Sequence, residues 1–331
     1  VVRGIGRIAI GLVLLGGIGG RNVAVADGDS VRGWGYLVDK LEHDGVPRER
    51  ALRVFRDERC APFDGLMFGL NPHESPSLYR RLRTRPTAAR ARRCLDEHRD
   101  AFEGAQERFG VSANVVASII QVESGCGQYT GRSRIVPALA RLAMAAEPDN
   151  LSRNVDRQLL LNPDLSSATL SSWTRWRADA LENTFYPELR AALDVADRLG
   201  VDPLEIRGSG SGAFGIPQFL PQSYLWFGVD GDQDGRVSLY DPDDAIPSCA
   251  HYLQQYGWRP ALTRSEQRNV IWGYNHSDAY IDTVLWLASE VHSPTPEPAH
   301  TAPATKRHGH KAPAKKKPGH GTTKRTHHPP A

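Results

Sequence analysis

Residues 114–127 read Asn-Val-Val-Ala-Ser-Ile-Ile-Gln-Val-Glu-Ser-Gly-Cys-Gly, and few folds can accommodate them. Val115, Ile119 and Val122 recur at helical spacing, and Val116 and Ile120 widen the stripe. A helix apolar over so much of its surface has to be buried, so other elements must surround it. Ser112 or Asn114 can start this helix, and Gly125 and Gly127 can end it. Glu123 then falls in its last turn. The partial negative charge of the helix C-terminus and the loss of water both disfavour an ionised carboxylate there. A carboxyl that keeps its proton near neutrality is equipped to donate it, which makes Glu123 the first candidate for an acid catalyst. The plainer alternative is a surface Glu at a frayed helix end, and the rest of the chain must decide between them.

The chain has 331 residues, of which 40% are hydrophobic, enough for one large domain or two moderate ones with a real core. Its formal charge of +3 hides an asymmetry. From Ser293 onward eight lysines and arginines face one acid, Glu297, so that segment carries +7 and the remainder −4. A mildly acidic body argues against a nucleic-acid-binding fold. Residues 292–331 are rich in Pro, Ala, Lys and His, cannot bury a core, and are expected to be a disordered basic tail. Residues 1–26 read as an export signal. Arg3 and Arg7 precede the apolar run 8–18, and Ala24-Val-Ala offers small residues at a cleavage site. The run is short and Gly-rich for a membrane span, though an uncleaved anchor is the alternative, and no Cys lies near the site to carry a lipid. In an exported chain four cysteines point to disulfides. Three pairings are possible; Cys60 and Cys94, which share the N-terminal region, are the expected bridge. Cys126 lacks any local partner signature of a thiol nucleophile.

In order, residues 31–59 read as two short helices, the first ended by Gly45 and the second opened by Pro47. Residues 61–77 read as loop, and 87–109 as one Arg-rich helix closed by Gly110. Residues 131–147 read as a helix of small apolar residues, Ile135 to Ala146, and 147–172 as a less regular excursion. Residues 173–199 are helical, with Trp173, Trp176, Phe185 and Tyr186 expected in the core. Helices are expected again at 241–256 and, as the last one, 266–290.

Residues 208–221, Gly-Ser-Gly-Ser-Gly-Ala-Phe-Gly-Ile-Pro-Gln-Phe-Leu-Pro, need tight backbone turns that a ligand could approach closely. They are no phosphate loop: no Gly-Lys-Ser/Thr follows and no βαβ pattern surrounds them, and no organic cofactor is expected. In 230–244, Asp230, Asp232 and Asp234 take positions 1, 3 and 5 of an EF-hand-like loop, with Gly235 at the sharp turn. Alternating oxygen ligands without Cys or His suit a hard cation such as Ca²⁺. Position 12 is Asp241, which with Pro242 is equally suited to capping the next helix, leaving Asp244 as the alternative closing carboxylate. An acidic turn without metal is the simpler alternative.

Taken together, Gln121 to Gly127, the run 208–221, the loop 230–245 and Tyr274-Asn-His-Ser resemble, in order and spacing, the membrane-bound lytic transglycosylase B family of murein-cleaving enzymes. The resemblance covers about residues 30–290 and is strongest over 208–250. It implies a mainly α (α+β), lysozyme-like helical domain, here 27–291, with a small β element and an EF-hand-like calcium loop. It also implies that Glu123 is the catalytic acid/base, that Ser209 contacts substrate, and that Gln218 stands beside the Glu. Tyr274, Asn275 and Tyr280 would line the cleft. Asp230, Asp232, Asp234 and Asp244, with the main-chain oxygen of Arg236, would hold the calcium. Three features depart from the family: Cys126 replaces a residue that is often aromatic, 147–172 has no clear counterpart, and the basic tail is an addition.

Most glycosidases use two carboxylates, and only one convincing candidate is legible here. A single acid suffices if the 2-acetamido group of N-acetylmuramic acid assists, and the resemblance implies closure of a 1,6-anhydro ring without water. The alternatives are a lysozyme-type hydrolase of the same substrate and a non-catalytic wall-binding protein. The expected partners are peptidoglycan glycan strands and, through the tail, anionic wall polymers, with no nucleic acid. A monomer is expected, exported to the periplasm or cell wall and not a lipoprotein.

Overall fold

The computed structural model describes residues 31–71 and 75–292, so the export signal read at 1–26 and the basic tail lie outside the described residues. The N-terminal helix pair is α1 (Gly35–His43) and α2 (Arg48–Arg56), with Pro47 as the N-cap of α2. A short α3 (Pro76–Arg80) follows the loop. The Arg-rich stretch expected as one helix is two, α4 (Arg85–Glu97) and α5 (Arg99–Phe109), broken at His98, whose φ and ψ of −117° and 37° leave the helical region. The break lets Ala88, Ala91 and Cys94 face one set of neighbours while Phe102, Ala105 and Phe109 face another.

Next comes α6 (Ala113–Ser124), then β1 (Ser133–Arg134), α7 (Ile135–Ala143), α8 (Pro148–Leu161) and α9 (Ser167–Leu199). The expectation of an irregular 147–172 is corrected here. Glu147 caps α8 by accepting from the amides of Asp149 and Asn150, and Pro148 takes the first helical position. The inner face of α8 is polar. Asn150 accepts from the Leu66 amide and donates to Ala145 O, and Asn154 accepts from the Phe68 amide and donates to Leu66 O. Buried amides that satisfy a neighbouring loop erase the hydrophobic period by which a helix is read. Trp173 and Trp176 also depart from expectation, at 50% and 67% exposed. The inner stripe of α9 runs through Leu170, Thr174, Ala178, Leu181 and Phe185, and both indoles lie off it, whereas Phe185 and Tyr186 are buried as expected.

The chain closes with β2 (Arg207–Gly208), α10 (Pro221–Phe227), α11 (Pro242–Gln255), α12 (Arg264–Tyr274) and α13 (Asp278–His292). The single last helix expected over 266–290 is thus two, separated at Asn275, whose backbone is extended. β1 and β2 pair antiparallel, Ser133 opposite Gly208 and Arg134 opposite Arg207, and form the small β element.

The centre is α6, against which α4, α5, α11 and α13 all pack. Val116, Ala117, Ile119 and Ile120 are at most 1% exposed, and Ser118 fits the same interior by donating to Asn114 O. Burying each of the large side chains contributes about 1.5–3 kcal/mol. The long α9 lies against α7, α8 and α10. It is held to α1 by a Tyr186 hydroxyl bond to Lys40 O and by the Lys40–Glu182 ion pair.

Candidate active site

Glu123 occupies the last turn of α6, as its position before two glycines implied. Gly125 ends the helix in the left-handed region (φ 61°), a conformation that carries no steric penalty only without a Cβ. Its amide bonds to Gln121 O, and that of Cys126 to Ile120 O. Ser124 Oγ accepts from the Gly127 amide, closing a turn in which 125, 126 and 127 all have positive φ. Glu123 itself is half-buried and faces a cleft of about 430 Å³ lined by Leu82, Arg90, Gln121, Val122, Ser124, Gly125, Gln128 and Tyr129 as well. Among these described lining residues it is the only carboxylate and Arg90 the only cation.

The Tyr280 hydroxyl, brought in by α13, donates to Glu123 Oε1 at 2.6 Å. Tyr280 is 1% exposed, so it meets the carboxylate from within the core. Burial, with the charge of Glu123 adding to it, holds its hydroxyl well above the ordinary tyrosine range and keeps it a donor. Tyr79 meets the Tyr280 ring edge-on at 5.3 Å, and Tyr274 stacks at 6.4 Å. The Tyr274 hydroxyl donates to Pro217 O at 2.5 Å, and burial removes the whole ring from the cleft wall. Of the three residues expected to line the cleft, Tyr274 and Tyr280 therefore sit beneath it. Asn275 is half-buried; its Nδ2 donates to the Tyr79 hydroxyl at 3.1 Å and its Oδ1 is a buried acceptor without a protein partner. Turning the amide over would only exchange which end is unmatched.

Gln218 holds a left-handed backbone (φ 50°), and its Nε2 donates to Gly215 O and Thr130 O. It thereby ties the glycine run to the segment just after the Glu123 turn. Gly215 is required there: its φ is 74° and a Cβ would stand 2.4 Å from Leu239 Cβ. Ser209 Oγ accepts from the amides of Ser211 and Ala213 and shapes the tight turn after β2.

The expected Cys60–Cys94 bridge is corrected. Cys94 is bonded to Cys126, with Cα atoms 6.2 Å apart, while Cys60 and Cys249 are free and buried. Packing of α4 beside α6 brings Cys94 to the turn after Glu123, a proximity invisible in the 32-residue separation. Burial pushes the Cys60 thiol up to about 11 and raises that of Cys249 as well, so neither is a ready nucleophile.

In the acidic loop Asp230, Asp232 and Asp244 each direct a carboxylate oxygen to within 4.8 Å of the others. Asp244, 3% exposed, accepts from the amides of Gly231 and Ser238. Burial raises its carboxyl above the usual range, the charges of Asp232 and Asp230 adding to this and the two amides opposing it. Asp230 Oδ2 accepts from the Gly235 amide, while its Oδ1 is buried with no protein partner. Asp234 lies outside this trio and accepts from the Arg236 amide. Asp241 caps α11 through the Asp243 amide, so Asp244 is the carboxylate that joins the loop. Converging oxygens, an orphaned Oδ1 and a buried carboxylate among like charges fit a hard divalent cation.

A mostly helical domain with a small two-stranded sheet, built around one buried helix whose end presents a carboxylate to a cleft, defines the lysozyme-like class. Within it the chain belongs to the Transglycosylase SLT domain family, whose pattern matches residues 39–267. It is 33% identical over 163 residues to membrane-bound lytic murein transglycosylase B of Escherichia coli, a match covering 49% of this chain and 36% of that protein. The chain therefore spans about a third of that relative's length. Its fold is similar to soluble lytic transglycosylase SltB1 from Pseudomonas aeruginosa, at TM-score 0.57 and 23% identity over 79% of this chain and 97% of that one. It is also similar to Escherichia coli lytic transglycosylase Slt35 in complex with calcium, at TM-score 0.56 and 22% identity over 80% and 93%.

Proposed function

We propose that this chain is a lytic transglycosylase of peptidoglycan in which Glu123 acts alone, first as acid and then as base. One observation carries the reading: Glu123 is the only carboxylate among the described residues lining the cleft. Protonated Glu123 gives its proton to the glycosidic oxygen between N-acetylmuramic acid and N-acetylglucosamine. The acetamido oxygen of the muramic acid stabilises the anomeric carbon as that bond breaks. Ionised Glu123 then takes the proton of the C6 hydroxyl, whose oxygen closes on the anomeric carbon to give a 1,6-anhydro end. The proton returns to Glu123 and no water is consumed.

Tyr280 orients Glu123 through their hydrogen bond, and Tyr274 and Gln218 position the turns around it. Asn275, held by its Nδ2 bond to the Tyr79 hydroxyl, would orient the acetamido-bearing sugar. Ser209, with its oxygen engaged by two amides, supports a sugar from the β2 turn. Asp230, Asp232 and Asp244 would hold a calcium ion, with Asp234 and the Arg236 carbonyl completing its shell. Such an ion supplies structural rigidity between the Gln218 turn and α11.

The family and the fold support export to the periplasm or cell wall, where murein lies. No helix among the described residues is long and apolar enough to cross a membrane. The basic tail would add attraction to anionic wall polymers that salt weakens.

Glu123→Gln keeps the shape and loses the proton. Purified variant and wild type are incubated with murein sacculi and the soluble products weighed by mass spectrometry. Wild type should release anhydro-ended muropeptides and the variant none. Reducing ends would identify a hydrolase, and near-normal turnover by the variant would remove Glu123 from the mechanism.

A further inference from the structure

We propose that Arg90 is a carboxylate-recognition residue of the cleft, binding an acidic group on the lactyl–peptide arm of the muramoyl sugar whose glycosidic bond Glu123 cleaves. The inference rests on the murein-cleaving reading above and adds how the sugar is chosen. Arg90 is half-buried on the wall that α4 contributes to the cleft. Its guanidinium donates to Thr87 Oγ1 at 3.1 Å and forms no ion pair with a carboxylate among the described residues. Other arginines are engaged: Arg92 donates to Glu290 O and Val291 O, Arg59 pairs with Asp57, Asp202 and Glu205, and Arg268 with Asp278 and Asp282. A planar fork of five donors, partly withdrawn from water and lacking an acid, is built to take one bidentately.

A covalent link ties the element that carries Arg90 to the turn after Glu123. Arg90 and Cys94 are one turn apart on the same face of α4. Cys94 is bonded to Cys126, three residues after Glu123. The guanidinium and the proton donor therefore both line the cleft, on two packed helices that the Cys94–Cys126 bridge joins covalently. In murein the charged groups near the reacting sugar are carboxylates, either on the peptide stem or, where the stem has been removed, on the lactyl group itself. Both hang from the sugar whose anomeric carbon reacts, so holding one orients the other. N-acetylglucosamine has no such arm, and an Arg in this place distinguishes the two sugars of the strand.

The test compares wild type, Arg90→Ala and Arg90→Lys as full chains on three substrates: intact sacculi, glycan strands stripped of stems by an amidase, and sacculi whose carboxyl groups have been amidated. Arg90→Ala should lower kcat/KM roughly 10- to 100-fold on a substrate carrying the recognised carboxylate and leave the amidated one unchanged relative to wild type. Arg90→Lys should fall between. A defect on intact sacculi alone assigns the stem, and one on stripped strands alone assigns the lactyl group. An equal loss on all three substrates, or no loss on either charged one, overturns the assignment. A wild type inert on every substrate would instead sink the murein-cleaving reading, an outcome separate from any property of Arg90.

Discussion

Glu123 and Tyr280 meet at 2.6 Å although 157 residues separate them, and the phenol is buried while the carboxylate reaches the cleft. A donor fixed in the core holds the carboxylate in one rotamer without exposing a second titrating group to the substrate. Tyr280→Phe keeps the ring and its contacts with Tyr79 and Tyr274 and removes only that bond. Steady-state turnover of soluble murein fragments should fall about tenfold in kcat with KM changed less than twofold; an unchanged kcat would reduce Tyr280 to a packing residue. Glu123 was legible because helix period and glycine punctuation are local. The role of Tyr280 as its partner was not, since only the approach of α13 to α6 creates the contact. For the same reason the expectation that Tyr274 lines the cleft described a ring that in fact holds Pro217 from below.

At the level of elements, the Cys94–Cys126 bridge joins α4 to the turn that ends α6. Closing a loop of this length contributes about 3–4 kcal/mol on chain-entropy grounds. The double substitution Cys94→Ala/Cys126→Ala should lower the urea-unfolding free energy by that order, with murein cleavage reduced under conditions where the variant is still folded. Stability equal to wild type would mean that helix packing alone places the turn. The acidic loop makes a second prediction. Calcium should raise the melting temperature of the wild type by several degrees and chelator should reverse it, while Asp230→Ala, which removes the orphaned Oδ1, should show no calcium response. Melting curves that coincide with and without calcium would leave the loop an acidic turn. Alternating aspartates made this loop visible in the sequence. What the folded chain adds is that Asp241 is spent on capping α11 and Asp244 turns inward.

For the molecule as a whole, the buried free thiols set a limit at alkaline pH. Burial raises Cys60 from 9.0 to about 11, and Cys249 shifts in the same direction. Between pH 9 and about 11 the unfolded chain has lost a thiol proton that the native state still holds. Stability is thus fully present below the unfolded value and declines as pH rises through this window. Each such thiol accounts for up to about 1.4 kcal/mol per pH unit. Cys60→Ala, whatever its stability at pH 8, should lose roughly 2 kcal/mol less than wild type in urea titrations carried from pH 8 to 11. Parallel losses would show that this thiol ionises alike in both states.

Taken alone, the sequence determined the helical class of the domain, the glycine-bounded carboxylate at the end of its most apolar helix, the tight backbone of 208–221 and the acidic loop. Each is written in neighbouring residues, where side-chain period, turn chemistry and ligand spacing act over a few positions. Only the tertiary structure decided that Cys94 joins Cys126, that α8 exists behind a polar inner face, that Trp173 and Trp176 stand in solvent, and that Arg90 shares a cleft with Glu123. Local pattern reports which side of an element is apolar, and it carries no record of which distant element will cover that side. That choice is made by packing all the faces at once.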